Sequence, residues 1–170
     1  MNIHSNFTGG NIVVDRIEDD IVYLERDLRD TEGDWFYWAF CVEGAAGRTL
    51  TFRFPVNHRV GRFGAAVSHD LAGWHWSESG TGNTFTYTFA EDENSVYFAH
   101  NMLYHPDRFY ELAENLKLNT FELCKTKKGR SVPACIIGDG QISIILTARH
   151  HACESTGSYV LEGVLKELTQ

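Results

Sequence analysis

The chain has 170 residues, 43% of them apolar and 13% aromatic, with a formal net charge of −8. That length and apolar content are enough for a buried core and argue against disorder. The acidic balance disfavours nucleic-acid binding, which needs a basic face, and no apolar run approaches the ~20 residues that span a bilayer.

The amino-terminal stretch MNIHSNFTGGNIVV has no basic region leading into a long apolar one, so no signal peptide is expected. Cys41, Cys124, Cys135 and Cys153 show no C-x-x-C spacing. They read as reduced thiols, and the expected location is cytoplasmic.

From residue 10 to about residue 100 the pattern is strand after strand. Asn11–Asp15 and Ile21–Asp27 are the first two candidates. Trp35–Val42 reads as an aromatic strand with apolar residues on both faces. Arg48–Phe54 alternates, with Leu50, Phe52 and Phe54 directed inward, and Thr84–Phe89 alternates with Phe85, Tyr87 and Phe89 on one face. Val67–His69, Gly73–Trp76 and Val96–Ala99 complete the set. Short strands between Gly, Asn and Asp turns predict an antiparallel β-sandwich over residues 1–102.

The character changes at Tyr104-His105-Pro106. Pro106 suits a first helical position and Asp107 a first turn, followed by Phe109, Leu112, Ala113 and Leu116 at helical spacing. Strands are expected at 119–125 and 131–137, joined by a Lys127-Lys128-Gly129-Arg130 hairpin turn. A third is expected at 142–148, where Ile142, Ile144, Ile145 and Leu146 form the apolar run of a buried strand. A last helix carries Val160, Leu161, Val164, Leu165 and Leu168 on one face. Residues 103–170 thus read as the incomplete opening of an α/β domain, and the fold class is α+β overall. Its thin sheet would leave an edge unprotected, which invites homodimerisation.

Between the last strand and the last helix lie His151 and Glu154, an H-x-x-E pair. Open α/β sheets bind ligands beyond the carboxyl ends of their strands. Imidazole nitrogen and carboxylate oxygen three positions apart suit zinc, whose catalytic sites take three protein ligands and an open position. The competing reading is that His151 hydrogen-bonds within the loop and Glu154 favours the helix N-terminus. On local physics the two are evenly matched.

The run TARHHACESTGSYVLEG resembles the first zinc-ligand segment of the zinc carboxypeptidases, in particular the cytosolic carboxypeptidase-like branch. That segment has the form A-R-x-H-P-G-E-(T/S)-x-(S/A)-S-(W/Y)-x-x-x-G. Ala148, Arg149, His151, Glu154, Ser155, Ser158, Tyr159 and Gly163 match it, while Ala152 and Cys153 replace Pro-Gly. The resemblance is loose over the whole chain and stronger over residues 95–165. It implies a peptidase that removes C-terminal residues from peptides or proteins, with His151 and Glu154 as two of three zinc ligands. It also implies that the third ligand and the general-base glutamate lie downstream, so that this chain holds no complete catalytic set.

Of the neighbouring groups, His150 reads as a supporting or solvent-facing residue and Arg149 as a substrate-anion contact or a structural one. Cys153 lacks an oriented base. His58, His69, His75, His100 and His105 are scattered and read as hydrogen-bonding residues, and most of Trp35, Trp38, Trp74 and Trp76 as core. Two other functions fit the sequence. One is a zinc-dependent N-acyl amino acid deacylase, related around H-x-x-E. The other is a non-catalytic binding module built on the aromatic β-sandwich.

Overall fold

Alternating apolar residues build two facing sheets within Met1–Leu103, the first of two units into which the chain divides; the second is Tyr104–Gln170. The structure is a computed structural model describing residues 1–170 apart from 30, 57, 58 and 81. The described strands of the first unit are β1 (Asn2–His4), β2 (Val13–Glu18), β3 (Ile21–Glu25), β4 (Ala39–Glu43), β5 (Thr49–Arg53), β6 (Ala66–Ser68), β7 (His75–Trp76), β8 (Thr84–Thr88) and β9 (Ser95–Ala99). One sheet has the order β1-β4-β9-β6-β7 and the other β2-β3-β5-β8.

The inward residues of both sheets form one core. Leu24, Leu50, Phe52 and Phe85 come from the four-stranded sheet, and Phe40, Val42, Val67 and Phe98 from the five-stranded one. The core is aromatic at its centre. Phe52 and Phe85 stack at 4.8 Å between ring centroids, and Phe98 lies 5.4 Å from Phe40 and 5.2 Å from Phe52. Each such pair contributes about 0.5–1.5 kcal/mol beyond its area burial. Successive residues of a strand point to opposite faces. Ala39, Cys41 and Glu43 of β4 therefore face away from this core. Ala39 there joins a second buried cluster with Ala99 and Leu103, against which Phe7, Tyr37, Leu71 and Trp74 pack.

In the second unit, α1 (Pro106–Asn115) begins on Pro106, and β10 (Thr120–Lys125) pairs with β11 (Ser131–Cys135) in an antiparallel hairpin. Its turn is closed by Thr126 N–H to the Arg130 carbonyl at 2.8 Å. The final helix, α2 (Thr156–Leu168), buries Leu165 and, less expectedly, Glu162. Arg108 of α1 explains that burial. It holds Glu162 through Nε to Oε2 (2.8 Å) and Nη2 to Oε1 (3.1 Å), while Lys166 Nζ reaches Oε1 at 2.8 Å. A buried carboxylate persists only when paired and hydrogen-bonded in this way. No helix among the described residues is long and apolar enough to cross a membrane.

Several expectations need correction. The sandwich is not wholly antiparallel, because β3 and β5 pair in parallel. The chain leaves β3 for β4 in the opposite sheet and returns, a crossover that restores the original direction. The strand expected at Trp35–Val42 begins only at Ala39. The Trp35 carbonyl instead accepts a bond from Arg26 Nε at 2.9 Å, and the Asp34 carboxylate is held by Arg26 and Arg59. A side chain has taken the place of a neighbouring strand. Asn11 makes an isolated bridge to Ala39, the first long strand starts at Val13, and β1 was not anticipated. Of the tryptophans, Trp38 alone is in the main core; Trp74 packs on the second cluster, and Trp35 is exposed.

The largest departure is at 142–148, which is outside any described strand. Ile142, Ile144 and Ile145 are 88%, 82% and 86% exposed. A strand exists only against a partner edge, and β10 and β11 pair with each other. The apolar run therefore forms no ladder among the described residues. The same reasoning applies to residues 136 and 137, expected at the end of β11, where Ile136 is 73% exposed.

Candidate metal centre

The H-x-x-E segment forms a tight turn ahead of α2. The Glu154 N–H bonds the His151 carbonyl at 3.1 Å, and Ser155 is the N-cap of α2. His151 and Glu154 are both exposed. Glu154 thus stands just before the first helical turn.

Arg149 shapes this loop. Its backbone is in the left-handed region, at φ 65°. For a residue with a Cβ that conformation costs about 1–2 kcal/mol, and two bonds offset it. Arg149 Nε donates to the Ala152 carbonyl at 3.0 Å and Nη1 to the Tyr104 carbonyl at 2.6 Å. The guanidinium ties the loop to the start of the second unit. Of the two roles open to Arg149, the structural one is what its contacts describe. His150 Nε2 lies 3.2 Å from Thr147 Oγ1, a bond local to the loop. Cys153 is buried, and burial pushes its thiol pKa upward, away from the reactive thiolate. His105, the N-cap of α1, has its pKa lowered by burial first and by the Arg149 guanidinium as well.

The donor set of the turn suits zinc in type, nitrogen from His151 and oxygen from Glu154. It is short in number. Among the described residues, no third His, Cys, Asp or Glu joins this pair within ligand reach.

The remaining histidines of the first unit are mostly bonded as ordinary structural residues. His69 Nε2 meets Glu93 Oε1 at 2.6 Å, and His75 lies beside His69 with ring centroids 6.3 Å apart. Burial pushes the Glu93 pKa up, but the His69 bond first, and then those it accepts from the Ala90 N–H and Tyr87, hold it below the ordinary carboxylate value. His100 lies near the Arg59 carbonyl at 3.4 Å, and burial lowers its pKa. His58 lies outside the described residues.

A different group does assemble in the first unit. His4, Cys41 and Glu43 place one nitrogen, one sulfur and one oxygen within 4.8 Å of one another. Strand register brings them together, since His4 pairs with Cys41 and Asn2 with Glu43 across β1 and β4. His4 Nε2 is 3.6 Å from Glu43 Oε1, and Asn2 Nδ2 donates to Glu43 Oε2 at 2.9 Å. That bond is the main reason the Glu43 pKa is lowered. The Cys41 thiol, by contrast, is pushed up to about 11, chiefly by burial. Sequence reading missed this trio because His4 and Cys41 stand 37 positions apart. A strand assignment at residues 2–4 would have been the one signal pointing to it.

No family model matches the chain. In sequence it is similar to an uncharacterised protein of Zymomonas mobilis, 28% identical over 183 residues that cover 99% of this chain and 47% of that protein. In structure it is similar to a metallo-carboxypeptidase from Burkholderia cenocepacia, with a TM-score of 0.76 and 21% identity over 99% of this chain and 49% of that one. A metallo-carboxypeptidase from Pseudomonas aeruginosa, in complex with (2-guanidinoethylmercapto)succinic acid, gives a TM-score of 0.76 at 21% identity over 100% and 50%. A Shewanella denitrificans protein provisionally named carboxypeptidase A gives 0.81 at 22% identity over 100% and 49%. The chain spans about half the length of each of these relatives. What it shares with the solved structures is the fold, along its entire length.

Proposed function

We propose that this chain is part of a zinc-dependent metallocarboxypeptidase of the cytosolic carboxypeptidase-like branch, which hydrolyses C-terminal residues from peptides or proteins in the cytoplasm. One observation carries the reading. The exposed His151–Glu154 turn stands directly before α2, within a fold that metallo-carboxypeptidases share across the whole chain. His151 and Glu154 would hold the zinc, with Arg149 as a positioning residue for their loop and His150 beside them. Zinc bound by these residues would supply Lewis-acid polarisation of a scissile carbonyl and would lower the pKa of a bound water. The third ligand and the general base come from sequence beyond this chain. Residues 103–170 are the opening of the catalytic domain and residues 1–102 a β-sandwich domain ahead of it.

The exposed run from Ile142 to Leu146 fits the same reading. Apolar on both sides, it has the composition of a strand buried between two neighbours. In the longer protein, further strands would flank it. In the isolated chain it would promote self-association, a homodimer among the simplest forms.

The test begins with the coding DNA past the Gln170 codon, where a further strand ending in histidine and a later glutamate are expected. The full-length product is then assayed for release of C-terminal residues from peptides. Activity should depend on zinc and vanish in His151→Ala and in Glu154→Ala, and the purified 170-residue chain should show no turnover. Turnover by the isolated chain, or full activity in His151→Ala, would overturn the proposal.

A further inference from the structure

We propose that His4, Cys41 and Glu43 form a binding site for a zinc-class divalent cation on the outer face of the five-stranded sheet. This site is built from residues of the first unit alone and does not depend on the carboxypeptidase reading.

The geometry is close to what a tetrahedral ion requires. Two nitrogen or oxygen ligands at zinc bond lengths are about 3.3–3.7 Å apart, and His4 Nε2 and Glu43 Oε1 already stand at 3.6 Å. That distance is longer than a normal hydrogen bond, so the two ligand atoms are not locked tightly to each other. Cys41 completes a three-ligand set within 4.8 Å, so inward shifts of about 1 Å bring all three into range. Two adjacent, hydrogen-bonded strands hold the backbone beneath them.

The surroundings are arranged for a cation as well. Asn2 holds Glu43 Oε2 and leaves Oε1 directed at the histidine. A supporting bond of this kind orients a metal-binding carboxylate. Cys41 forms a buried floor, while the His4 and Glu43 side chains are 20% and 49% exposed and form an open rim. One imidazole, one carboxylate and one thiolate neutralise a divalent charge. Sulfur and imidazole together select zinc-class metals over magnesium or calcium.

Binding requires one rearrangement of protons. The His4 Nδ1 accepts the Asn6 N–H at 3.2 Å, which leaves the neutral ring's proton on Nε2. On coordination Nε2 gives up its proton, Nδ1 takes one, and the thiol releases its own to solvent. Asn6 is exposed, so water replaces the bond its amide loses.

The test is a cobalt titration of the purified chain. One equivalent of Co²⁺ should produce a thiolate-to-cobalt charge-transfer band with tetrahedral visible absorption. The band should disappear in Cys41→Ser and remain in Cys153→Ser and in His151→Ala. His4→Ala and Glu43→Gln, at more exposed positions where folding is not at stake, should each weaken binding about tenfold or more. Zinc should displace the cobalt at the same stoichiometry. Absence of the band, its persistence in Cys41→Ser, or its loss in Cys153→Ser would overturn the assignment.

Discussion

The two units treat apolar side chains in opposite ways. The first hides most of its largest ones: Trp38, Phe40, Phe52, Phe54, Phe85, Phe89 and Phe98 are all fully buried between its sheets, while Phe63 and Trp35 stay exposed. The second displays much of its own, with Ile136, Ile142, Ile144, Ile145, Val160 and Leu168 each more than half exposed. Its organising contacts are instead polar, chiefly Arg108 with Glu162 and Arg149 with two carbonyls. The sandwich is closed by its own two sheets. A two-stranded hairpin and two helices cannot cover an apolar run that belongs at the centre of a sheet.

The strongest challenge to this contrast is a cavity in the first unit. Phe98 lies within 6 Å of five aromatic rings, those of Phe40, Phe52, Phe85, Tyr87 and Phe89. Phe98→Ala should cost about 3–5 kcal/mol in urea unfolding monitored by tryptophan fluorescence. A loss below about 1 kcal/mol would mean that the core is not the cooperative unit its packing describes.

In the second unit the largest effect should come from a charge. Glu162→Gln should cost about 1–2 kcal/mol at neutral pH, because Arg108 and Lys166 lose their ionised partner. The pH dependence has a defined sign. The Arg108 bond, the leading cause, holds the Glu162 pKa below its ordinary value of 4.5 against the opposing effect of burial. Its stabilisation is therefore complete above 4.5 and is lost as pH falls through the lower folded value. Acid titration followed by circular dichroism should show this loss, and Glu162→Gln should remove that component. An unchanged acid profile in the variant would assign the loss elsewhere.

Arg149→Ala is expected to be milder, about 1 kcal/mol, since the freed carbonyls can turn to water and a left-handed residue is relieved of nothing but its bonds. Its signature is local: faster hydrogen exchange at the Glu154 amide, with the sandwich amides unchanged. Protection of Glu154 at the wild-type level would remove Arg149 from the role of loop anchor. The smallest effect belongs to Ile144→Lys, which should change stability by no more than about 0.5 kcal/mol while lowering self-association in sedimentation. A loss of several kcal/mol there would show that the run is buried in the folded chain after all.

Much of the first unit was legible as sequence. The alternation in Thr49–Arg53 and Thr84–Thr88 places Leu50, Phe52 and Phe85 inward, and all three are buried there. Period-two patterning survives in any sheet with one buried face, which is why it reads directly. The two helices and the β10–β11 hairpin were legible for a similar reason: Pro106, Gly129 and the helical spacings act locally. The stretch at 142–148 was not, because an apolar run states a need for partners without supplying them. Trp35–Trp38 misled for the opposite reason, as Arg26 reaches from elsewhere in the chain to occupy the Trp35 carbonyl.

The same division holds for the candidate sites. His151 and Glu154 are three residues apart, so their placement ahead of a helix follows from local pattern. The sequence by itself determined the strand-rich first part, the helix starts and the H-x-x-E loop, all of which depend on neighbours along the chain. Tertiary structure decided the parallel β3–β5 pair, the burial of Glu162 beneath Arg108, and the meeting of His4 with Cys41 and Glu43. Each of these depends on which distant segments become neighbours in space. That is settled by burying one shared core rather than by local preference.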